Sequence, residues 1–190
     1  MSARMVVAVG AMAIGAAAGG CGLLAADPLT STSSLAPTWT PPAAPTRDDG
    51  NVDARTYQAY PDDPDSFYFQ TPDHGFKCAI YLDPRRTFST GCQGGPSLPP
   101  PVEQAECWSG PHRSAIGIEQ GVAKYLCLNQ GLFVGPPPDG SGNGEGGWQE
   151  LPVGGVLIVQ GTSCTSIAGG VTCWDGDHGF SVGRAQHHVW

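Results

Sequence analysis

Gly179-Phe180-Ser181-Val182-Gly183 spells G-x-S-x-G, a pattern that can raise a serine nucleophile on a sharp strand-to-helix turn beside an oxyanion hole. The imidazoles that could serve it are His178, His187 and His188. His178 lies in Asp177-His178-Gly179-Phe180, a segment that echoes Asp73-His74-Gly75-Phe76. The context argues against catalysis. Nine residues follow Ser181, too few for the helix such a turn requires, and none of them is a carboxylate. Both D-H-G-F segments read instead as turns, where Gly permits positive φ and Asp or His closes on the backbone. An esterase-like hydrolase using Ser181 with His178 or His187 stays as the alternative, and no catalytic residue is assigned.

Other site chemistries fail on similar grounds. Gly142, Gly144 and Gly147 spell G-x-G-x-x-G, but no strand precedes them and Pro138 and Trp148 flank them, so a dinucleotide cradle is not expected. Asp175-Gly176-Asp177 begins like a calcium loop, yet Phe180 occupies the tight-turn glycine position and Gln186 the twelfth, which excludes an EF-hand. The chain has no C-x-x-C, and the adjacent His187 and His188 point to opposite faces of a strand. Neither metal nor cofactor is expected. Nine Lys and Arg against seventeen Asp and Glu leave no basic stripe for phosphate neutralisation, so nucleic acid is not an expected partner.

The elements that must position any site follow from composition. With 28 Gly and 18 Pro in 190 residues, long amphipathic helices are excluded. Short apolar runs recur between turn signals: 67–69, 76–81, 88–92, 122–128, 132–134, 156–159, 171–174 and 180–182. They read as strands of an all-β fold, a small antiparallel, disulfide-stapled sheet or sandwich built from hairpins over residues 67–190. The stretch from Gly135 to Gly147 has no periodicity and reads as a mobile surface loop.

Cysteine spacing sharpens this outline. Setting Cys21 aside leaves Cys78, Cys92, Cys107, Cys127, Cys164 and Cys173, an even set suited to three disulfides in an exported chain. Directly opposed residues of a hairpin have numbers that sum to a constant. Cys164 with Cys173 centres a hairpin on Ala168-Gly169, and Cys78 with Cys92 centres one on Arg85 in Asp83-Pro84-Arg85-Arg86. Cys107 with Cys127 centres on Gly117, where Pro111 and the loop length leave the two arms undefined. Neighbouring pairs are the favoured choice among the fifteen connectivities of six cysteines. Each bridge contributes about 3 kcal/mol in the chain-entropy description.

The N-terminus supplies an address. Arg4 precedes an uncharged run from Met5 to Gly20, which reads as a signal peptide over residues 1–20. The run ends at Ala18-Gly19-Gly20-Cys21, which resembles the lipobox of bacterial lipoproteins. That resemblance implies acylation of Cys21 and a stable lipid anchor, since two or more chains hold a protein on a membrane where one is marginal. Residues 22–66 carry Pro, Thr, Ser and Ala, with seven acidic residues against Arg47 and Arg55. They read as a solvated tether reaching roughly 35 to 40 Å.

Within the remaining chain, Leu151-Pro152-Val153-Gly154, Cys164-Thr165-Ser166, Gly170-Val171-Thr172-Cys173 and His178-Gly179-Phe180 with Arg184 resemble the C-terminal pattern of small exported proteins and lipoproteins of mycobacteria and their relatives. Phe69-Gln70-Thr71-Pro72-Asp73 and Cys78-Ala79-Ile80 resemble their opening strand and first cysteine. The resemblance implies a disulfide-bonded β domain with no catalytic residue to carry over. The expectation is a cell-envelope lipoprotein on the extracytoplasmic face of the cell membrane, or a secreted protein if Cys21 is not acylated. Its expected role is a binding or interaction module for an unknown envelope protein or small ligand, with a purely structural envelope component as a further alternative. A pocket lined by Trp108, Trp148 or Trp174 would favour ligand binding.

Overall fold

The computed structural model describes residues 39–59, 61–94, 113–135, 149–184 and 187–190. Residues 1–38, including Cys21 and the expected leader, as well as Cys107, Trp108, Gln186 and the 136–148 segment with its three spaced glycines, lie outside the described residues. The folded unit spans Thr40–Trp190. Its strands are β1 (Gln58–Ala59), β2 (Asp63–Gln70), β3 (Phe76–Tyr81), β4 (Phe88–Gly94), β5 (Arg113–Glu119) and β6 (Val122–Leu128), then β7 (Val156–Val159), β8 (Thr162–Ile167), β9 (Gly170–Asp175), β10 (His178–Gly183) and β11 (His187–Val189). The first six form one antiparallel sheet in chain order and the last five form a second. The expected all-β, hairpin-built architecture is therefore the fold.

Period-two alternation decides which residues lie between the sheets. Phe67, Phe69, Phe76, Ile80, Ile116 and Ile118 of the first sheet meet Leu157, Val171, Phe180 and Val182 of the second in one buried cluster. Both described disulfides sit inside it. Cys78 opposes Cys92 across β3 and β4, and Cys164 opposes Cys173 across β8 and β9, each pair with Cα atoms 4.1 Å apart. The turns are those the numbering required. Gly169 takes φ +71 between β8 and β9, and the carboxylate of Asp83 accepts the Arg85 amide at 2.9 Å beside Pro84. The Thr90 hydroxyl donates to the Ala79 carbonyl at 2.9 Å and approaches Cys164 Sγ at 3.7 Å, joining the two sheets at the disulfide level. Cys127 on β6 is also disulfide-bonded; its expected partner Cys107 is outside the described residues.

Three expectations need correction. Residues 132–134 are bends rather than a strand, because one side chain takes the backbone donors that a strand would use. Gln93 Oε1 accepts from the amides of Leu132 and Phe133 at 2.8 and 2.9 Å, and the Tyr81 hydroxyl donates to the Leu132 carbonyl. This holds the Phe133 ring flat on the outer face of the first sheet, over Gly91 and Gly117. A Cβ at Gly91 would lie 2.2 Å from that ring. Second, Arg113–Glu119 is a full strand although its run is broken by Ser114 and Gly117; the seven-residue register with β6 supplies what local pattern does not. Third, the folded unit begins well before Phe67.

Residues 40–66 are part of that unit. Tyr57 is buried edge-on against Phe69, with ring centroids 6.5 Å apart, and β1 and the start of β2 extend the first sheet. The preceding arm crosses the second sheet. Trp174 Nε1 donates to the Pro42 carbonyl at 3.3 Å. Nine residues on, Asn51 bonds the β7 edge through its amide to the Val156 carbonyl at 3.3 Å and through its Oδ1 from the Val156 amide at 2.8 Å. A polar, proline-rich composition does not prevent order when free sheet-edge groups accept its backbone.

The Phe133 plug yields a coupled prediction. Gly91→Ala should destabilise the fold by about 1–3 kcal/mol through overpacking. In a Phe133→Ala background the same change should cost much less, as denaturant midpoints of the four-member cycle would show; an equal cost in both backgrounds would mean the two residues do not meet.

Candidate functional site

Ser181 lies in the middle of β10, opposite Thr172 on β9 and His188 on β11. Phe180 and Val182 point into the core, so the intervening Ser181 points to the outer face of the second sheet. Its hydroxyl shares a hydrogen bond of 3.0 Å with Thr172 Oγ1. His178 is three residues earlier on the same strand and faces the other way. His187 opposes Val182, on the core side of the sheet, where its ring meets Tyr125 edge-on at 5.1 Å. Burial there, and then the nearby His188, lower its pKa. Neither expected base therefore shares a face with Ser181. His188 does share it, as the cross-strand partner, but Ser181 occupies a regular strand with no helix after it among the described residues. The nucleophile turn is not formed.

The first D-H-G-F segment is the expected turn, whereas in the second only Asp177 lies in a turn and His178-Gly179-Phe180 opens β10; in neither does the positive φ fall on the expected glycine. It falls on His74 (φ 54) in the first and on Gly176 (φ 60) ahead of the second. In the first, Asp73 Oδ1 accepts from Thr71 Oγ1 at 2.6 Å and from the Gly75 amide at 3.1 Å. Arg184, just past the end of β10, donates from Nε to Asp73 Oδ2 at 3.0 Å and ties this turn to the second sheet. The Thr71 hydroxyl, working against partial burial and aided by the Gly75 amide and Arg184, holds the Asp73 carboxyl below its ordinary 3.8. His74 Nε2 meets Glu150 Oε1 at 2.7 Å, and the backbone of 149–151 is fixed against Gln70. Gly176 and Asp177 form the β9–β10 turn and His178 begins β10, at the end of that six-residue strand opposite Arg184, roughly 17 Å away. The two segments do not converge. Among the described residues no group of three or more His, Cys, Asp or Glu is placed to hold a metal ion.

Of the three tryptophans weighed as pocket walls, Trp108 and Trp148 lie outside the described residues. Trp174 is buried, bonded to Pro42 and edge-on to Trp190 at 6.2 Å. It fixes the arm and is not among the walls of the two concavities described below.

The arm creates the concavity that the sequence reading missed. Between its anchors at Pro42 and Asn51 it leaves a groove of about 660 Å³, lined by Pro45, Arg47, Gly50 and Val52 on one side and by Ile158, Gln160, Gly161 and Ser163 of the β7–β8 hairpin on the other. That hairpin turns in two residues, Gln160 and Gly161, with φ 46 and 97, the geometry of a type I′ turn. Gln160-Gly161, closing the apolar run Val156–Val159 ahead of the Thr- and Ser-rich strand Thr162–Ile167, was the readable signal for the hairpin wall. Nothing in the arm's composition distinguished it from a spacer. A second concavity of about 300 Å³ lies at the β3–β4 turn, with Tyr81, Asp83, Arg86, Gln120 and Asp175 among its walls.

Compared with known proteins, the chain matches no family model, no curated protein and no solved structure. Among the described residues no helix is long and apolar enough to cross a membrane.

Two outcomes follow from this geometry. A fluorophosphonate probe should label the wild-type protein and Ser181→Ala equally, read by mass spectrometry; loss of labelling in the variant would restore the hydrolase alternative. A depressed carboxyl pKa stabilises the fold fully above its unfolded value and loses that contribution as pH falls through the folded value. Asp73→Asn should accordingly lessen the acid-side fall in stability below pH 3.8 and leave the slope near neutrality unchanged, as denaturation followed across pH would show.

Proposed function

We propose that the protein is a binding module of the cell envelope, held on the extracytoplasmic face of the membrane by acylation at Cys21, and that the arm groove is its ligand-facing surface. The observation that carries this reading is the groove itself. Its volume of about 660 Å³ falls in the range of small-molecule sites, about 300–1,000 Å³. It joins apolar walls at Pro45, Val52 and Ile158 to polar groups at Arg47, Gln160 and Ser163, the mixture that orients a ligand. The leader ending in Ala18-Gly19-Gly20-Cys21 and the resemblance to mycobacterial exported lipoproteins support the address. The groove's arm wall leads back along the chain toward Cys21, which suits a module that presents its site from a tether.

A photoreactive residue placed at Gln160 in intact cells should give a discrete adduct that the same residue at Arg85, on the exposed β3–β4 turn, does not. Equal adducts at both positions, or none at Gln160, would overturn the groove as the working surface. Mass spectrometry of the mature N-terminus should find an acylated Cys21; a free or absent Cys21 would overturn the anchor.

A further inference from the structure

The chain carries an excess of acidic residues, and five of its described cations are paired with carboxylates. Arg55 pairs with Asp53, Arg85 with Asp83, Arg86 with Asp63, Lys124 with Glu119 and Arg184 with Asp73. Arg47 departs from this. Among the described residues it has no carboxylate partner, although Asp48 and Asp49 follow it directly in the sequence.

The local geometry explains the omission. Residues Arg47–Asp49 form a 3-10 turn in which Asp49 folds back to cap its own start: Asp49 Oδ2 accepts the Thr46 amide at 2.7 Å and the Thr46 hydroxyl at 2.6 Å. Those bonds lower the Asp49 pKa, the hydroxyl contributing most. The Asp49 carboxylate is thus spent on the turn, and Asp48 is not among the groove's walls. Arg47 remains among the walls of an open concavity.

The other walls are specific in character. Ile158, Val52 and Pro45 offer apolar contact, while Gln160 and Ser163 supply hydrogen-bonding groups. Gly161 adds no side chain; a Cβ at its position would meet nothing within 4 Å. A guanidinium presents a planar fork of donors that matches carboxylate and phosphate oxygens and is less strongly hydrated than an ammonium. We propose that this groove binds a small organic oxyanion, a carboxylate or phosphate monoester with a short apolar body, Arg47 engaging the oxyanion and Ile158, Val52 and Pro45 the body. This inference rests on the binding-module reading and names the ligand class of the same groove.

Four probes test it on the purified full chain by amide chemical shifts and calorimetric titration: octanoate, octyl phosphate, octanol and inorganic phosphate. Octanoate or octyl phosphate should shift the Gly161 and Ser163 amides and bind at least tenfold more tightly than octanol or inorganic phosphate. Whichever of the first two binds more tightly identifies the headgroup. Arg47→Gln should lower affinity for the preferred anion at least tenfold and leave octanol unchanged, while Arg47→Lys should retain part of it. Arg47 is exposed and unpaired with carboxylate, so neither variant threatens folding. Wild-type anion affinity in Arg47→Gln, or equal binding of octanol and the anions at the groove amides, would overturn the oxyanion assignment and leave the groove standing as a binding surface. No shift at the groove amides with any probe also overturns the assignment; the Gln160 adduct in cells then separates the two failures, since its presence preserves the binding module and its absence removes both.

Discussion

Everything in this fold is arranged around two covalent cross-links placed back to back in the space between the sheets. Each joins residues that already oppose one another across a hairpin, so each fixes register, and a one-residue slip would turn an entire strand inside out. Cys78, Cys92, Cys164 and Cys173 are fully buried, and the Thr90 hydroxyl lies between the two levels, bonded to one sheet and in contact with the sulfur of the other. In a chain with 28 glycines and 18 prolines, the loss of conformational freedom on folding is large. Fixed register lets a modest set of Phe, Ile, Leu and Val side chains offset it.

Most of this frame was legible because hairpins are local. Two sums of cysteine numbers located two turns and two registers. What escaped depended on distant partners. Phe133 looks like part of an apolar run, but Gln93, forty residues earlier, takes its amide, and the glycines that receive its ring lie on β4 and β5. The groove escaped for the same reason. Its hairpin wall could be read from Gln160-Gly161, whereas its arm wall consists of residues whose composition resembles a linker and whose order comes from Trp174 and the β7 edge. The Ser181 motif shows the converse. A pattern readable along the chain lost its meaning once alternation sent His178 and His187 to the other face of the sheet.

The two sheets are also treated differently on their outer sides. The first is covered by an aromatic plug whose fit requires Gly91 and Gly117 to lack side chains. The second is crossed by the arm, which touches it firmly at Trp174 and along the β7 edge and stands off between them. A close cover packs like a second core, whereas a cover held at two separated points leaves space that solvent or a solute fills.

Those two attachments also set how the domain responds to a mechanical load. Traction applied through the N-terminal end reaches the indole-to-carbonyl bond at Pro42 before it reaches the bonds Asn51 makes with the Val156 and Gly154 backbone. The first is one hydrogen bond and the second a cluster of three, so of these two attachments stretching releases the outer one first. The span over the second sheet then hinges outward while the disulfide-linked hairpins stay intact.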